Sequence, residues 1–165
     1  MPEDLASFPD LEAVHEALAA RFGATIGEAT LRLGELSLKI AKDDLRRVLE
    51  FSKSRLGFDA LDDVIGLDNL RSAPAGGKRF TVLYQLRCTP GPLRLRIAVD
   101  VAEDETVDSA VPVYRSADWC EREIYDMLGI RFEGHPDLRR IYMSEDFAGY
   151  PLRKDFPLAG DSDGV

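Results

Sequence analysis

Four side chains that could do chemistry lie in one short stretch of this chain. Glu121, Glu123 and Asp126 fall within two turns of a predicted helix, and His135 follows in a turn beside Pro136. Carboxylates grouped in this way can act as general acid and base, or can hold a metal ion together with a histidine. A stand-alone metal-dependent enzyme that uses these four residues is therefore one hypothesis.

A structural role explains the same residues better. A metal site needs ligands at facing positions, and His135 is the only histidine near the three acids. Acids on a helix more often pair with basic groups. The available partners are the neighbouring arginines, Arg122, Arg139 and Arg140, or a second chain. We therefore predict no catalytic residue, no bound cofactor and no metal ligand in this chain.

The composition describes a folded, acidic domain. The 165 residues are 45% hydrophobic and 31% charged, with a net charge of −9, so a single domain with a sizeable core is expected. This charge argues against binding nucleic acid or an anionic lipid surface. The sequence has no apolar run long enough for direct membrane insertion, and residues 1–8 lack a targeting pattern, which predicts a cytoplasmic protein. The two cysteines, Cys88 and Cys120, suggest neither a disulfide nor a zinc site.

The hydrophobic periodicity predicts an ordinary α+β scaffold. The expected order is a helix over 10–23, a hairpin over 24–40 that turns at Gly34-Glu35, a helix over 42–56, an ambiguous stretch over 58–67, and strands over 79–87 and 93–101. We predict a mixed or antiparallel β-sheet with helices packed on one face, plus an extended C-terminal tail. The expected domain covers residues 1–129, and the tail covers 130–165.

The third predicted helix ends the domain. Either Ser116 or Asp118 could cap its N-terminus, the second of them in a capping box with Glu121. Gly129 is suited to the left-handed conformation that ends many helices. An apolar stripe is expected to face the sheet, formed by Cys120, Ile124, Met127 and Leu128. A charged, aromatic edge is expected beside it, formed by Trp119, Arg122, Glu123 and Asp126.

The tail lacks a regular period but is too apolar for a disordered segment. Its three prolines, Pro136, Pro151 and Pro157, disfavour helix. We expect the tail to lie on a partner, where the charges of Arg153 and Asp155 would fix its register, with its own domain as the alternative surface. The predicted partner interface consists of Trp119, Glu121, Arg122, Glu123, Asp126, His135, Arg139, Arg140, Tyr150, Leu152, Arg153, Lys154, Asp155 and Phe156.

Three motifs in this region carry a resemblance to a known family. They are Glu121-Arg122-Glu123 with the following Ile124 to Ile130, His135-Pro136-Asp137-Leu138-Arg139-Arg140-Ile141, and Pro151-Leu152-Arg153-Lys154-Asp155-Phe156-Pro157. At these residues the chain resembles the 30 kDa subunit, also known as the C subunit, of the proton-pumping NADH:quinone oxidoreductase, respiratory complex I. The resemblance covers roughly the last third of the chain.

The resemblance implies a hydrophilic member of the peripheral arm that supports electron transfer from NADH to quinone without being catalytic itself. Its chief partner would be the D subunit, which forms the quinone site, with the B and I subunits as further neighbours. Family members bind no cofactor of their own, and FMN, iron–sulfur clusters and quinone belong to the complex. The protein would lie peripherally on the cytoplasmic side of the inner (plasma) membrane. The equivalent subunit of a membrane-bound NiFe hydrogenase, or of another complex I-like oxidoreductase, is the alternative.

Overall fold

The computed structural model describes residues 10–157. The expectations for residues 1–8 and for the part of the tail beyond residue 157 lie outside this range. The described helices are α1 (Leu11–Phe22), α2 (Leu45–Arg55) and α3 (Ala117–Leu128). The strands are β1 (Ile26–Arg32), β2 (Glu35–Ile40), β3 (Ala60–Asp68), β4 (Phe80–Arg87), β5 (Arg94–Val101), β6 (Thr106–Asp108) and β7 (Arg131–Glu133).

Five strands form one mixed sheet in the order β1-β2-β5-β4-β3. Strands β2 and β5 run parallel, and the other neighbours in this sheet are antiparallel. Strands β6 and β7 form a separate parallel pair. The predicted α+β class with a mixed sheet is therefore confirmed.

One face of the sheet is buried under the three helices. Alternate residues of β4 and β5 point inward, and pairs such as Val82 with Val99 and Tyr84 with Ile97 lie side by side in the core. All three helices contribute buried side chains to this single cluster. At Gly66 of β3 a β-carbon would come within 2.7 Å of Leu128, so a glycine is needed for α3 to pack this closely on the sheet. The expected arrangement of helices on one face is confirmed.

The first hairpin turns one residue earlier than expected. Leu33 and Gly34 form the loop, with φ of 54° and 76°. A two-residue loop with positive φ at both positions matches the twist of antiparallel strands, so the glycine takes the second of these positions and Leu33 takes the first. The ambiguous stretch 58–67 forms β3, an edge strand with an irregularity between Leu61 and Asp63.

The described part of the tail, 130–157, lies against its own domain. Ile130 and Phe132 belong to the buried core, and β7 pairs with β6. Beyond β7 the segment has no helix or strand, as its lack of period predicted. The division of the chain after residue 129 and the binding of the tail to a partner stay predictions. A partner would meet the outer side of a segment whose inner side already contacts this fold.

Candidate functional site

Helix α3 presents one apolar face to β3 and one polar face outward. Ile124, Met127 and Leu128 are buried, as the predicted stripe requires, while Cys120 at the edge is half-buried. Gly129 ends the helix in the left-handed conformation with φ of 79°, as predicted. The helix therefore holds its outward side chains in fixed positions.

Glu121 lies inside the fold. Its side chain is fully buried and accepts two hydrogen bonds of 2.6 Å, from the hydroxyl of Ser109 and from the backbone N–H of Ala110. The predicted capping box with Asp118 is wrong, since α3 begins at Ala117 after Ser116 and Glu121 bonds to the preceding loop instead. Burial raises the pKa of Glu121 to about 7, although both hydrogen bonds oppose this shift.

His135 packs beside the same buried carboxylate but does not hydrogen-bond to it. Its side chain has no exposed surface, and its Nε2 lies 3.2 Å from the carbonyl oxygen of Asp118 and 4.0 Å from Glu121 Oε2. The backbone N–H of Asp137 donates to its Nδ1 at 3.0 Å. Because Nδ1 accepts this bond, the hydrogen-bond network assigns the single ring proton to Nε2. Neither His135 nor Glu121 has exposed side-chain surface for a partner.

Asp126 anchors the tail to α3. The backbone N–H groups of Ile141, Tyr142 and Met143 all donate to its Oδ2, at 3.0, 2.7 and 3.0 Å. Its Oδ1 accepts from Arg140 Nη1 at 2.8 Å, and its side chain is fully buried. Burial alone would raise the pKa of Asp126, but the three N–H groups and the guanidinium outweigh burial and lower it. The carboxylate is therefore satisfied within the chain.

The arginines of the basic turn are also used within the chain. Arg140 donates from Nη2 to the carbonyl oxygens of Phe147 and Gly149, in addition to its pair with Asp126. Arg122 lies over the ring of Trp119, 4.8 Å from its centroid, and donates to the carbonyl oxygens of Arg139 and Arg140. Arg139 forms an exposed pair with Asp137. These bonds fix the path of residues 137–149 along α3.

The last turn of α3 is completed by the tail. The backbone N–H of Leu152 donates to the carbonyl oxygen of Met127, and Arg153 Nε donates to that of Leu128 at 2.7 Å. Terminal carbonyl groups of a helix have no partner within the helix, and a cation is favoured there. Arg153 also lies over the rings of Tyr150 and Phe80 and pairs with Glu103.

The final described residues contact the end of β3, the residue before β4 and an earlier part of the tail. Asp155 accepts from Arg79 at 2.6 Å, the backbone N–H of Lys154 donates to Asp68, and Phe156 stacks on Phe147 at 6.0 Å. Arg79 lowers the pKa of Asp155 by hydrogen bonding to its carboxylate. Arg153 and Asp155, which were expected to set register on a partner, therefore bond within this fold.

Replacing Gly129 by alanine is expected to cost about 1–3 kcal/mol of stability beyond the matched variant Gly134→Ala. Both glycines have positive φ, so both variants carry the same backbone strain. Only at Gly129 would the added carbon lie 2.6 Å from the ring of Tyr150 and 2.8 Å from Arg153; at Gly134 nothing lies within 4 Å. Denaturant unfolding of the two variants measures the difference in stability. Equal losses of stability would mean that the tail does not pack closely against Gly129.

Three large apolar side chains of this region remain exposed. Trp119 is 65% exposed, Tyr142 is 63% exposed and Leu152 is 58% exposed. Of the predicted interface residues, Glu123, Arg139, Lys154 and Asp155 are also exposed. Tyr142 was missing from the predicted interface, since nothing in an aperiodic segment indicates which side chains point outward. We define the α3 surface as the side chains of Trp119, Arg122, Glu123, Tyr142 and Leu152.

The acids of the first hypothesis do not converge. Glu121 points to the loop before α3, Asp126 points to the tail, and Glu123 is exposed. Within residues 10–157, no three His, Cys, Asp or Glu side chains are grouped so that they could hold a metal ion. None of the helices in the described range has the length and apolar character needed to cross a membrane.

The comparisons with known proteins identify the family. Residues 38–162 match the model of the respiratory-chain NADH dehydrogenase 30 kDa subunit, and the chain belongs to this family. The C subunit of the NADH-quinone oxidoreductase from Trichlorobacter lovleyi is 47% identical over 146 residues, which cover 88% of each chain. The protein of the same name from Brucella ovis is 48% identical over 142 residues, covering 85% of this chain and 68% of that one.

Two solved structures resemble the fold. A structure described as Nqo5 of the trypsin-resistant fragment (1-134) has a TM-score of 0.67 and 34% identity, and covers 78% of this chain and 98% of that one. A chain of the membrane-bound sulfane sulfur reductase, an archaeal respiratory membrane complex, has a TM-score of 0.73 at 20% identity, covering 89% and 85%. The second likeness concerns the fold alone.

Proposed function

We propose that this protein is a non-catalytic member of the peripheral arm of an NADH:quinone oxidoreductase, and that it docks through the α3 surface on the D subunit, called here the quinone-site subunit. The observation that carries this proposal is the exposure of Trp119, Tyr142 and Leu152. Exposed aromatic and aliphatic side chains that stand together are typical of protein interfaces.

The geometry supports a single continuous surface. Trp119 and Asp126 are seven residues apart on α3 and so face the same side. The side chain of Asp126 accepts from the backbone N–H of Tyr142, and the backbone carbonyl oxygen of Met127 accepts from the N–H of Leu152. The three exposed side chains are therefore carried by α3 and by the two parts of the tail that hydrogen-bond to α3. Rigid aromatic side chains supply much of the binding energy in such interfaces.

The distribution of cysteines supports a role without a bound redox centre. Iron–sulfur clusters are held chiefly by groups of cysteine thiolates, and this chain has two cysteines. Cys88 is buried and Cys120 lies on α3. In our proposal the FMN, the iron–sulfur clusters and the quinone are held by other subunits. This protein supports electron transfer by holding its neighbours in place.

The location follows from the partners. The chain would be held peripherally at the cytoplasmic side of the membrane by the quinone-site subunit, with the B and I subunits as further neighbours. Its relatives that are named as parts of NADH-quinone oxidoreductases support NADH as the electron donor of the complex. The hydrogenase-type alternative has no comparable support.

Co-expression with the quinone-site subunit tests the docking. We expect a stable complex with the wild-type chain, and a loss of affinity of at least about tenfold for Trp119→Ala combined with Tyr142→Ala, because interface aromatics commonly contribute more than 1 kcal/mol each. Leu33→Ala is the matched control, since Leu33 is also a large apolar side chain and is 94% exposed at the distant hairpin. Absence of a wild-type complex, or equal binding by all variants, would refute the proposal.

A further inference from the structure

A groove runs between α3 and the edge strand β3, and it shares Glu123 and Leu152 with the α3 surface. It has a volume of about 340 Å³, and its lining includes Ile65, Gly66, Met127 and Leu152. Strand β3 is the last of the five-stranded sheet, so no further strand of the sheet lies beside it. Leu152 forms one apolar wall while most of its own surface stays exposed.

Two carboxylates stand in the lining of this groove. Asp63 and Glu123 are both exposed. Burial is the main cause that raises the pKa of the Cys120 thiol, and the charges of Asp63 and Glu123 raise this pKa further. The Sγ of Cys120 lies 3.6 Å from Asp63 Oδ1. Asp63 therefore contacts Cys120, and Glu123 lies three residues further along α3 in the lining of the same groove.

These two acids differ from the other acids around them. Asp62 pairs with Arg87, Asp68 with Arg79, and Asp126 with Arg140. Across residues 10–157, neither Asp63 nor Glu123 takes part in an ion pair. The Oδ1 of Asp63 accepts from the backbone N–H of Val64 and from the thiol of Cys120. Two unpaired acids beside an apolar groove are complementary to a cation that carries an apolar stem.

We propose that this groove binds a segment of the quinone-site subunit in which a lysine or arginine is flanked by apolar side chains. The proposal rests on the docking function above and specifies its chemistry. The aliphatic stem of the basic residue would lie on Met127 and Leu152, and its charged end would lie between Asp63 and Glu123. Such a charge would select the partner and fix its register.

Charge reversal in the co-expressed complex tests this assignment. We expect Glu123→Lys and Asp63→Lys each to weaken the complex about tenfold. The loss should shrink when salt is raised from about 0.05 to about 0.5 M, because screening removes the repulsion. Glu28→Lys makes the same charge change at an exposed position of the distant strand β1, and should leave affinity unchanged. Equal melting temperatures of the isolated variants would show that all of them fold.

The outcomes separate the two proposals. If the Trp119 and Tyr142 double variant loses binding while both charge reversals bind like wild type, the groove assignment is overturned and the docking function stands. If the wild-type chain forms no complex, both are overturned. If the isolated chain dimerises in sedimentation experiments and Glu123→Lys abolishes the dimer, the occupant is a second copy, and the partner assignment is wrong.

Discussion

Replacing Asp126 by alanine is expected to lower the free energy of unfolding by about 3–5 kcal/mol. The change removes a fully buried carboxylate that accepts from Ile141, Tyr142 and Met143 and pairs with Arg140. Three backbone N–H groups and a guanidinium would lose their acceptor, and each unsatisfied buried group carries its own cost. Since these groups all belong to the tail, the tail should detach before the domain unfolds.

Hydrogen exchange gives the most direct measurement of this release. The amides of residues 141–143 should be protected in the wild type and should exchange rapidly in Asp126→Ala. Trypsin should also cleave after Arg139 and Arg140 sooner. Asp146→Ala is the matched control, because Asp146 is an exposed aspartate of the same segment. Unchanged protection of residues 141–143 in Asp126→Ala would contradict the anchoring role.

Glu121 should make the stability of the isolated protein depend on pH near neutrality. Burial raises its pKa from 4.5 to about 7 in the folded state. A group whose pKa is raised by folding contributes stability that is fully present below its unfolded pKa and is lost as the pH rises through its folded pKa. The shift corresponds to about 3 kcal/mol lost between pH values near 4.5 and above 7.

The variant Glu121→Gln isolates this contribution. The charged carboxylate accepts from both the Ser109 hydroxyl and the Ala110 N–H. An amide can still accept from Ala110 N–H and can donate to the oxygen of the Ser109 hydroxyl, as a protonated carboxyl can. The stability of Glu121→Gln relative to wild type should therefore rise with pH by up to about 3 kcal/mol. Glu123→Gln, at an exposed neighbouring position, should follow the wild-type curve. Parallel curves for wild type and Glu121→Gln would show that burial does not shift this carboxyl.

The scaffold was largely predictable because local periodicity determines it. Apolar spacing located α1 between Asp10 and Gly23, and alternation located β4 and β5, whose inward residues pair across one buried face. The helix α3, its apolar stripe and its glycine end were also predicted. The order of the strands was not, because the parallel pairing of β2 with β5 leaves no local pattern.

The site was less predictable, because burial of a polar side chain depends on distant groups. Glu121 and Glu123 look alike in the sequence, yet one is buried and the other is exposed. The groups that satisfy Glu121 and Asp126 come from segments more than ten residues away. The resemblance identified the family, which the comparisons confirm, but it did not distinguish residues that hold this fold together from residues that face outward.

The parallel pairing of β2 with β5 has a kinetic consequence. It joins residues 35–40 to residues 94–99, roughly 60 positions later in the chain. The first hairpin cannot join the sheet until β5 has been synthesised, and closing so long a loop delays folding. The residues that bind Asp126 leave the ribosome later still. During synthesis, the sheet can therefore form before the tail is available, and the α3 surface is completed last.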